Sequence, residues 1–237
     1  MDPTPDEPDA APTGAPTTPG NPQPGSPLRR YRPTEGSEGT EGTEGTGRIE
    51  AFSDGVYAIA ITLLVLNLGI PAGLDDGEVW GAITEQGPKL LAAALSFVVI
   101  GLFWWAHQRT FATIGRTNSR LVWVNLAHLA TIVFLPFPTE VLAEYSDSFA
   151  GVTLYALTLA AASFTSAALT WLAWRSDIAL PTADTSGLRA RFISFLTTGT
   201  IFTASVGVAW FSPDLATYTW ILAVVADRPV ERLARRR

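Results

Sequence analysis

From Ile49 onward the chain reads as six apolar stretches, at about 49–70, 89–108, 120–143, 150–174, 190–211 and 213–227. A hydrocarbon core of about 30 Å takes roughly 20 helical residues to cross, and the first five stretches meet that length. The sixth is shorter, because Asp227 and Pro229 interrupt it. The pattern predicts an all-α membrane protein with six transmembrane helices per subunit. Composition agrees: 16% of residues are charged and mean hydropathy is +0.22, against about 25% charged in an ordinary soluble domain.

The links between the stretches are sorted by charge. Arg29, Arg30, Arg32 and Arg48 precede the first, and Arg109, Arg116 and Arg120 lie between the second and third. Arg175, Arg189 and Arg191 separate the fourth from the fifth, and Arg228, Arg232, Arg235, Arg236 and Arg237 follow the sixth. Fifteen of the 16 basic residues thus fall on one side, with Lys89 alone on the other. The opposite links carry Asp75, Asp76, Glu78, Glu85, Glu140, Glu144, Asp147 and Asp214. The positive-inside rule then places both termini in the cytoplasm, and the expected location is the plasma membrane, multi-pass. Six tryptophans (Trp104, Trp105, Trp123, Trp171, Trp174 and Trp210) fall near predicted segment ends, where headgroup-level anchoring or ordinary helix packing are both open.

Three regions follow. Residues 1–47 contain ten prolines and end in an EGT-repeat run. They are expected to form a disordered cytoplasmic tail, since such a stretch buries too little apolar surface to offset its ordering entropy. The tail has no apolar core near its start, so it is not read as a signal peptide. Residues 48–227 form the transmembrane domain, and 228–237 a basic cytoplasmic end.

Whole classes of function drop out. A net charge of −6 argues against nucleic acid as a partner. Without cysteine there are no disulfides and no thiolate chemistry. No nucleotide-binding P-loop, zinc-protease or serine-hydrolase motif occurs, so neither an enzyme nor a cofactor or metal requirement is expected. The T-V-G-Y-G potassium filter is absent, and Thr198-Gly199-Thr200 is a poor substitute for it.

The first apolar stretch carries the chemistry-bearing pattern. Arg48, Glu50, Ser53 and Asp54 cluster at its start, where charged groups in a membrane helix are normally paired or face protein. Simple helix capping by Ser53 or Asp54 is the alternative. Beyond them Ile59, Leu63 and Leu66 fall at i, i+4, i+7 on one helix face, with Thr62 the one hydroxyl beside it. That stripe suits helix packing or a pore lining, and composition does not separate the two.

The run Arg48-x-x-x-Phe52-Ser53-Asp54-Gly55, followed by Val-Tyr-Ala-Ile-Ala-Ile-Thr-Leu-Leu-Val-Leu, resembles the signature first helix of the prokaryotic TMEM175 potassium-channel family. Further similarities come in order: Trp105 and His107 ending the second helix, Leu121-Val-Trp-Val-Asn125-Leu opening the third, and Pro136-Phe-Pro138-Thr139 near its outer end. The resemblance covers roughly residues 48–227 and leaves out the tail. It implies a modestly potassium-selective cation leak channel, in some members also proton-permeable, without a carbonyl filter. It further implies a homotetramer in the lipid bilayer, with the pore lined by the first helices and potassium as the permeant ion. Ile59, Leu63 and Leu66 would form the hydrophobic constriction, and Thr62 the polar pore position. Arg48, Ser53, Asp54, His107 and Asn125 would form a structural hydrogen-bond network, while His128 is read as packing. Two other classes stay open on the residues alone: a proton-coupled secondary transporter, and a non-conducting membrane scaffold that uses the tail.

Overall fold

The computed structural model describes residues 37–66 and 68–221, with side chains from residue 45 onward. Seven helices are named in that range: α1 Ser37–Leu66, α2 Asp76–Glu85, α3 Gly87–Phe111, α4 Ser119–Phe134, α5 Pro136–Glu144, α6 Phe149–Arg175 and α7 Thr185–Ala209. Residues 213–221 are also helical. Five spans are long and apolar enough to cross a membrane: Gly45–Leu66, Gly87–Phe111, Ser119–Glu144, Phe149–Arg175 and Thr185–Ala209. The chain is therefore an all-helical, multi-pass membrane protein. Of the sixth apolar stretch, 213–221 is helical and 222–227 lies outside the described residues, as do residues 1–36 of the tail and the 228–237 end.

Successive spans run in alternate directions. One end of the bundle gathers the α1 start, the α3–α4 link and the α6–α7 link, with Arg48, Arg109, Arg116, Arg120, Arg175, Arg189 and Arg191. The other carries α2, the α5 end and the α7 end, with Asp75, Asp76, Glu78, Glu85, Glu140, Glu144, Asp147 and Asp214. They are called the arginine end and the acidic end below.

The expectation of an unstructured chain through residue 47 is corrected for residues 37–47, which extend α1 as helix. Propagating an existing helix avoids the nucleation cost that an isolated EGT repeat would meet. The extension leans on the α3–α4 link: Thr46 is buried, and a Cβ on Gly45 would stand 3.1 Å from the Thr117 hydroxyl.

The helix starts follow local chemistry. Asn118, Ser148 and Asp184 each cap a helix by accepting from the backbone N–H three residues on, of Leu121, Gly151 and Gly187, at 2.8, 3.1 and 3.1 Å. At α2 the Glu78 carboxylate accepts from the Asp75 N–H at 3.1 Å. The third span is two helices, because Pro136 has no N–H to continue the ladder. The Ile132 carbonyl accepts instead from the Leu135 N–H at 3.1 Å.

α6 is the most enclosed span. Gly151, Ala156, Ala160, Ala162, Ser163, Ala167 and Ala173 are among its buried residues. Such small side chains let backbones approach closely, which is how helices associate where lipid offers no hydrophobic driving force. The central core joins Tyr57, Ala60 and Leu64 of α1 to Ile100 and Phe103 of α3, Leu129 and Ile132 of α4, Tyr155 and Leu159 of α6, and Phe202 of α7. Residues 213–221 lie against it through Trp220, whose indole N–H donates to the Ser205 Oγ at 3.1 Å. At the arginine end the two links pair as backbone. The Gly115 N–H donates to the Ile178 carbonyl at 2.8 Å and the Leu180 N–H to the Thr113 carbonyl at 2.9 Å. At the acidic end Lys89 forms an ion pair with Glu144, tying α3 to α5.

Candidate functional site

α1 has two unlike faces. Thr46, Ser53, Tyr57, Ala60 and Leu64 are buried against the rest of the subunit. Their spacing of seven, four, three and four residues is one helix stripe. On the opposite side, Ile59 is 59% exposed and Leu66 73% exposed, and Gly55 and Thr62 are exposed with them. Leu63 is half-buried at the flank of that face. The i, i+4, i+7 series therefore does not lie evenly on one open surface: Ile59, Thr62 and Leu66 share it, and Leu63 borders it. The Thr62 hydroxyl donates to the Ile59 carbonyl at 2.8 Å. With its proton turned back to its own helix, Thr62 has oxygen lone pairs left for acceptance.

The buried face is hydrogen-bonded to α4, which carries the contacts on to α3 and α6. Near the arginine end, the Asn125 amide donates to Ser53 Oγ at 3.0 Å, and Ser53 donates to the Ile49 carbonyl at 2.8 Å. The other end of the amide, Oδ1, lies 2.8 Å from His107 Nε2. Ser53, His107 and Asn125, three of the five expected network residues, are thus joined, all of them buried.

The remaining two stand elsewhere. Asp54, one position round the helix, accepts from the Trp104 indole N–H at 2.8 Å and from the Gln108 amide. It forms a second tie between α1 and α3. Arg48 is exposed and makes no hydrogen bond or ion pair among the described residues. It sits five residues before Ser53, on the far side of α1 from the buried stripe.

One buried residue read as packing has a larger part. His128, fully enclosed, has Nε2 2.6 Å from the Tyr57 hydroxyl. Its Nδ1 lies 3.0 Å from Thr165 Oγ1 and 3.4 Å from Ser166 Oγ. α1 is thereby bonded to α4, and α4 to α6. The His107 and His128 rings stack with centroids 5.9 Å apart. A further buried cluster links Ser96, Thr139 and Tyr155, with Thr139 donating to Ser96 at 2.8 Å and Ser96 lying 3.0 Å from the Tyr155 hydroxyl. No periodicity announces these pairs, since the partners stand 59 and 43 residues apart. Among the described residues no group of acids and histidines could hold a metal ion.

The chain is similar to known proteins in sequence and in fold. The profile of the family described as "Endosomal/lysosomal potassium channel TMEM175" matches residues 48–136, the part that holds α1, α3, α4 and the polar contacts between them. A Streptomyces collinus protein named a potassium channel is 36% identical over 174 residues, 71% of this chain and 84% of that relative. The Gallus gallus protein named "Endosomal/lysosomal proton channel TMEM175" is 37% identical over 108 residues, 42% of this chain but 22% of that longer protein. In structure the chain is similar to a lysosomal potassium-selective channel TMEM175 homolog from Chamaesiphon minutus. The TM-score is 0.67 at 28% identity, over 79% of this chain and 98% of that one. A relative matched over most of its length, a profile seated on the first helices and a shared fold have one reading: the chain belongs to the TMEM175 family of ion channels.

Proposed function

We propose that the chain forms a potassium-permeable cation leak channel, a homotetramer in the plasma membrane whose four α1 helices line the pore. Its selectivity is modest and its permeant species include protons. The observation that carries this reading is the division of α1. One face is hydrogen-bonded into its own subunit, while the other offers Ile59, Thr62 and Leu66 to a neighbour or a pore. Four such faces around an axis make rings of isoleucine and leucine, with Leu63 filling the flank. A hydrophobic constriction of this kind resists ion passage by dewetting and by stripping hydration. Between them Thr62 adds a ring of hydroxyls whose protons point to the Ile59 carbonyls. That orientation offers oxygen to a cation and no donor to an anion, which supports cation preference without a carbonyl filter. The arginine end faces the cytoplasm by the positive-inside rule, and the helix at residues 213–221 is assigned to a sixth transmembrane segment. Ser53, Asp54, His107 and Asn125 hold α1 in register, and Arg48 is assigned to the cytoplasmic edge rather than to that network.

The test is ion flux in proteoliposomes, with potassium and sodium gradients run in parallel on wild type, Ile59→Trp and Ile59→Ala. Potassium flux should exceed sodium flux, fall at least tenfold with tryptophan, and rise or lose selectivity with alanine. Equal flux in all three proteins refutes the α1 pore. Transport that requires a proton gradient or a second solute replaces the channel with a coupled transporter.

A further inference from the structure

We infer that the polar network is completed by one buried water molecule, held by His107, Ser166 and Thr110 where α3 meets α6. The inference comes from the proton inventory of the network and does not depend on the pore reading. Ser53 gives its hydroxyl proton to the Ile49 carbonyl at 2.8 Å, so it accepts from the Asn125 NH2 at 3.0 Å. The Asn125 oxygen therefore faces His107 Nε2 at 2.8 Å, and that nitrogen must carry a proton. In a neutral imidazole the other nitrogen is then an acceptor. His107 Nδ1 is buried and has no hydrogen-bond partner among the described residues, an arrangement rare for a buried polar atom.

The same accounting finds a spare donor nearby. Thr165 gives its proton to the Ala161 carbonyl at 2.8 Å or the Ala162 carbonyl at 3.0 Å, so it accepts from His128 Nδ1–H. Ser166 Oγ, 3.4 Å from the same Nδ1, stands on the acceptor side of that N–H as well. Its own hydroxyl proton is left uncommitted. His107 and Ser166 both line one small cavity, with Ala106, Thr110, Leu169 and Phe195. His107, Ser166 and Thr110 are 5%, 7% and 2% exposed. The space open to the centre of a water-sized sphere is about 10 Å³, which is the lower limit for a single water.

A water there accepts from Ser166, donates to His107 Nδ1, and has Thr110 Oγ1 for its second hydrogen. Thr110 donates to the Ala106 carbonyl at 3.1 Å and accepts from Arg191 Nη1 at 3.4 Å, which leaves its oxygen one lone pair for the water. Three partners is the usual number for a buried water. The result is a closed circuit: Ser53, Asn125, His107, water, Ser166, His128, Tyr57. It leaves α1 at one residue and returns to it one turn later, having passed through α4, α3 and α6.

The experiment uses the full chain in lipid bilayers with ¹⁵N-labelled histidine. Only two histidines contribute signals, and a His107→Asn spectrum assigns them. Solid-state NMR should show His107 protonated at Nε2, with Nδ1 shifted by an accepted hydrogen bond and a cross-peak to water. Ser166→Ala should move the Nδ1 signal toward its unbonded position, and Ser166→Val, which fills the cavity, should abolish the water cross-peak. A His107 protonated at Nδ1, or an unbonded Nδ1 with no water cross-peak in wild type, overturns the proposal. So does a water signal unchanged by both substitutions. The wild-type spectrum decides alone if the valine variant does not fold.

Discussion

Replacing Asn125 by leucine, which keeps the branching and removes the amide, tests whether the buried polar contacts hold α1 in place. Asn125 is 1% exposed and spends both ends of its amide on protein, at 2.8 Å to His107 and 3.0 Å to Ser53. Interhelical hydrogen bonds in membranes average about 0.6 kcal/mol and reach about 1.7 kcal/mol. Two of them set the expected loss at roughly 1–3 kcal/mol. The His107 N–H left without an acceptor in a buried site pushes the loss to the upper half of that range. The assay is reversible denaturation in mixed micelles, followed by circular dichroism, on wild type, Asn125→Leu, Ser53→Ala and the double variant. Ser53 and Asn125 should couple by about 0.6–1.7 kcal/mol, the worth of their shared bond. A coupling under about 0.3 kcal/mol, within ordinary additivity, or a single-variant loss under about 0.5 kcal/mol, refutes the argument that these contacts fix the helix.

Four further outcomes follow from particular contacts. Tyr57→Phe removes the hydroxyl 2.6 Å from His128 and should cost about 1 kcal/mol in the same titration. Asp54→Ala frees Trp104 and Gln108; the fraction of assembled protein on size exclusion should fall, while the potassium-to-sodium flux ratio of what assembles stays near wild type. Gly151→Ala should destabilise by about 1–3 kcal/mol, because its Cβ would collide with the Tyr145 backbone carbonyl, which cannot swing aside. Gly199→Ala should cost less despite a Cβ 2.7 Å from Phe164, since that ring is 40% exposed and can turn outward; equal losses for the two glycines would contradict this.

The spans were legible in the sequence, and their tertiary partners largely were not. Each membrane helix announces itself by length and apolarity, which are local quantities. The predicted starts missed by a few residues because N-capping side chains such as Asn118 and Asp184 begin the helix ahead of its first apolar residue. Pro136 was visible as the mark of a break, yet whether it ends a helix or divides a span depends on what continues beyond it. α2 was missed because ten residues with no buried side chain leave no periodic stripe, although the Asp75-x-x-Glu78 cap was there to read. For the site, a family likeness brought together Ser53, Asn125 and His107. It gave no sign of His128, whose partner Tyr57 lies 71 residues away. The same likeness places Arg48 in that network, whereas helix rotation turns it to the other side of α1 from Ser53.

The inward bonding of the α1 polar groups bears on how the proposed tetramer would form. Ser53 and Tyr57 are bonded within their own subunit, so a newly inserted chain needs no neighbour to complete them. In the proposed tetramer these contacts would then be in place before subunits meet. What each chain brings to its siblings is chiefly shape, the small and branched side chains of the open α1 face. Association by shape alone is reversible and dilution-sensitive, and it does not distinguish a sound subunit from a blocked one. Co-expressed Ile59→Trp subunits should therefore mix freely with wild type and silence most of the resulting channels.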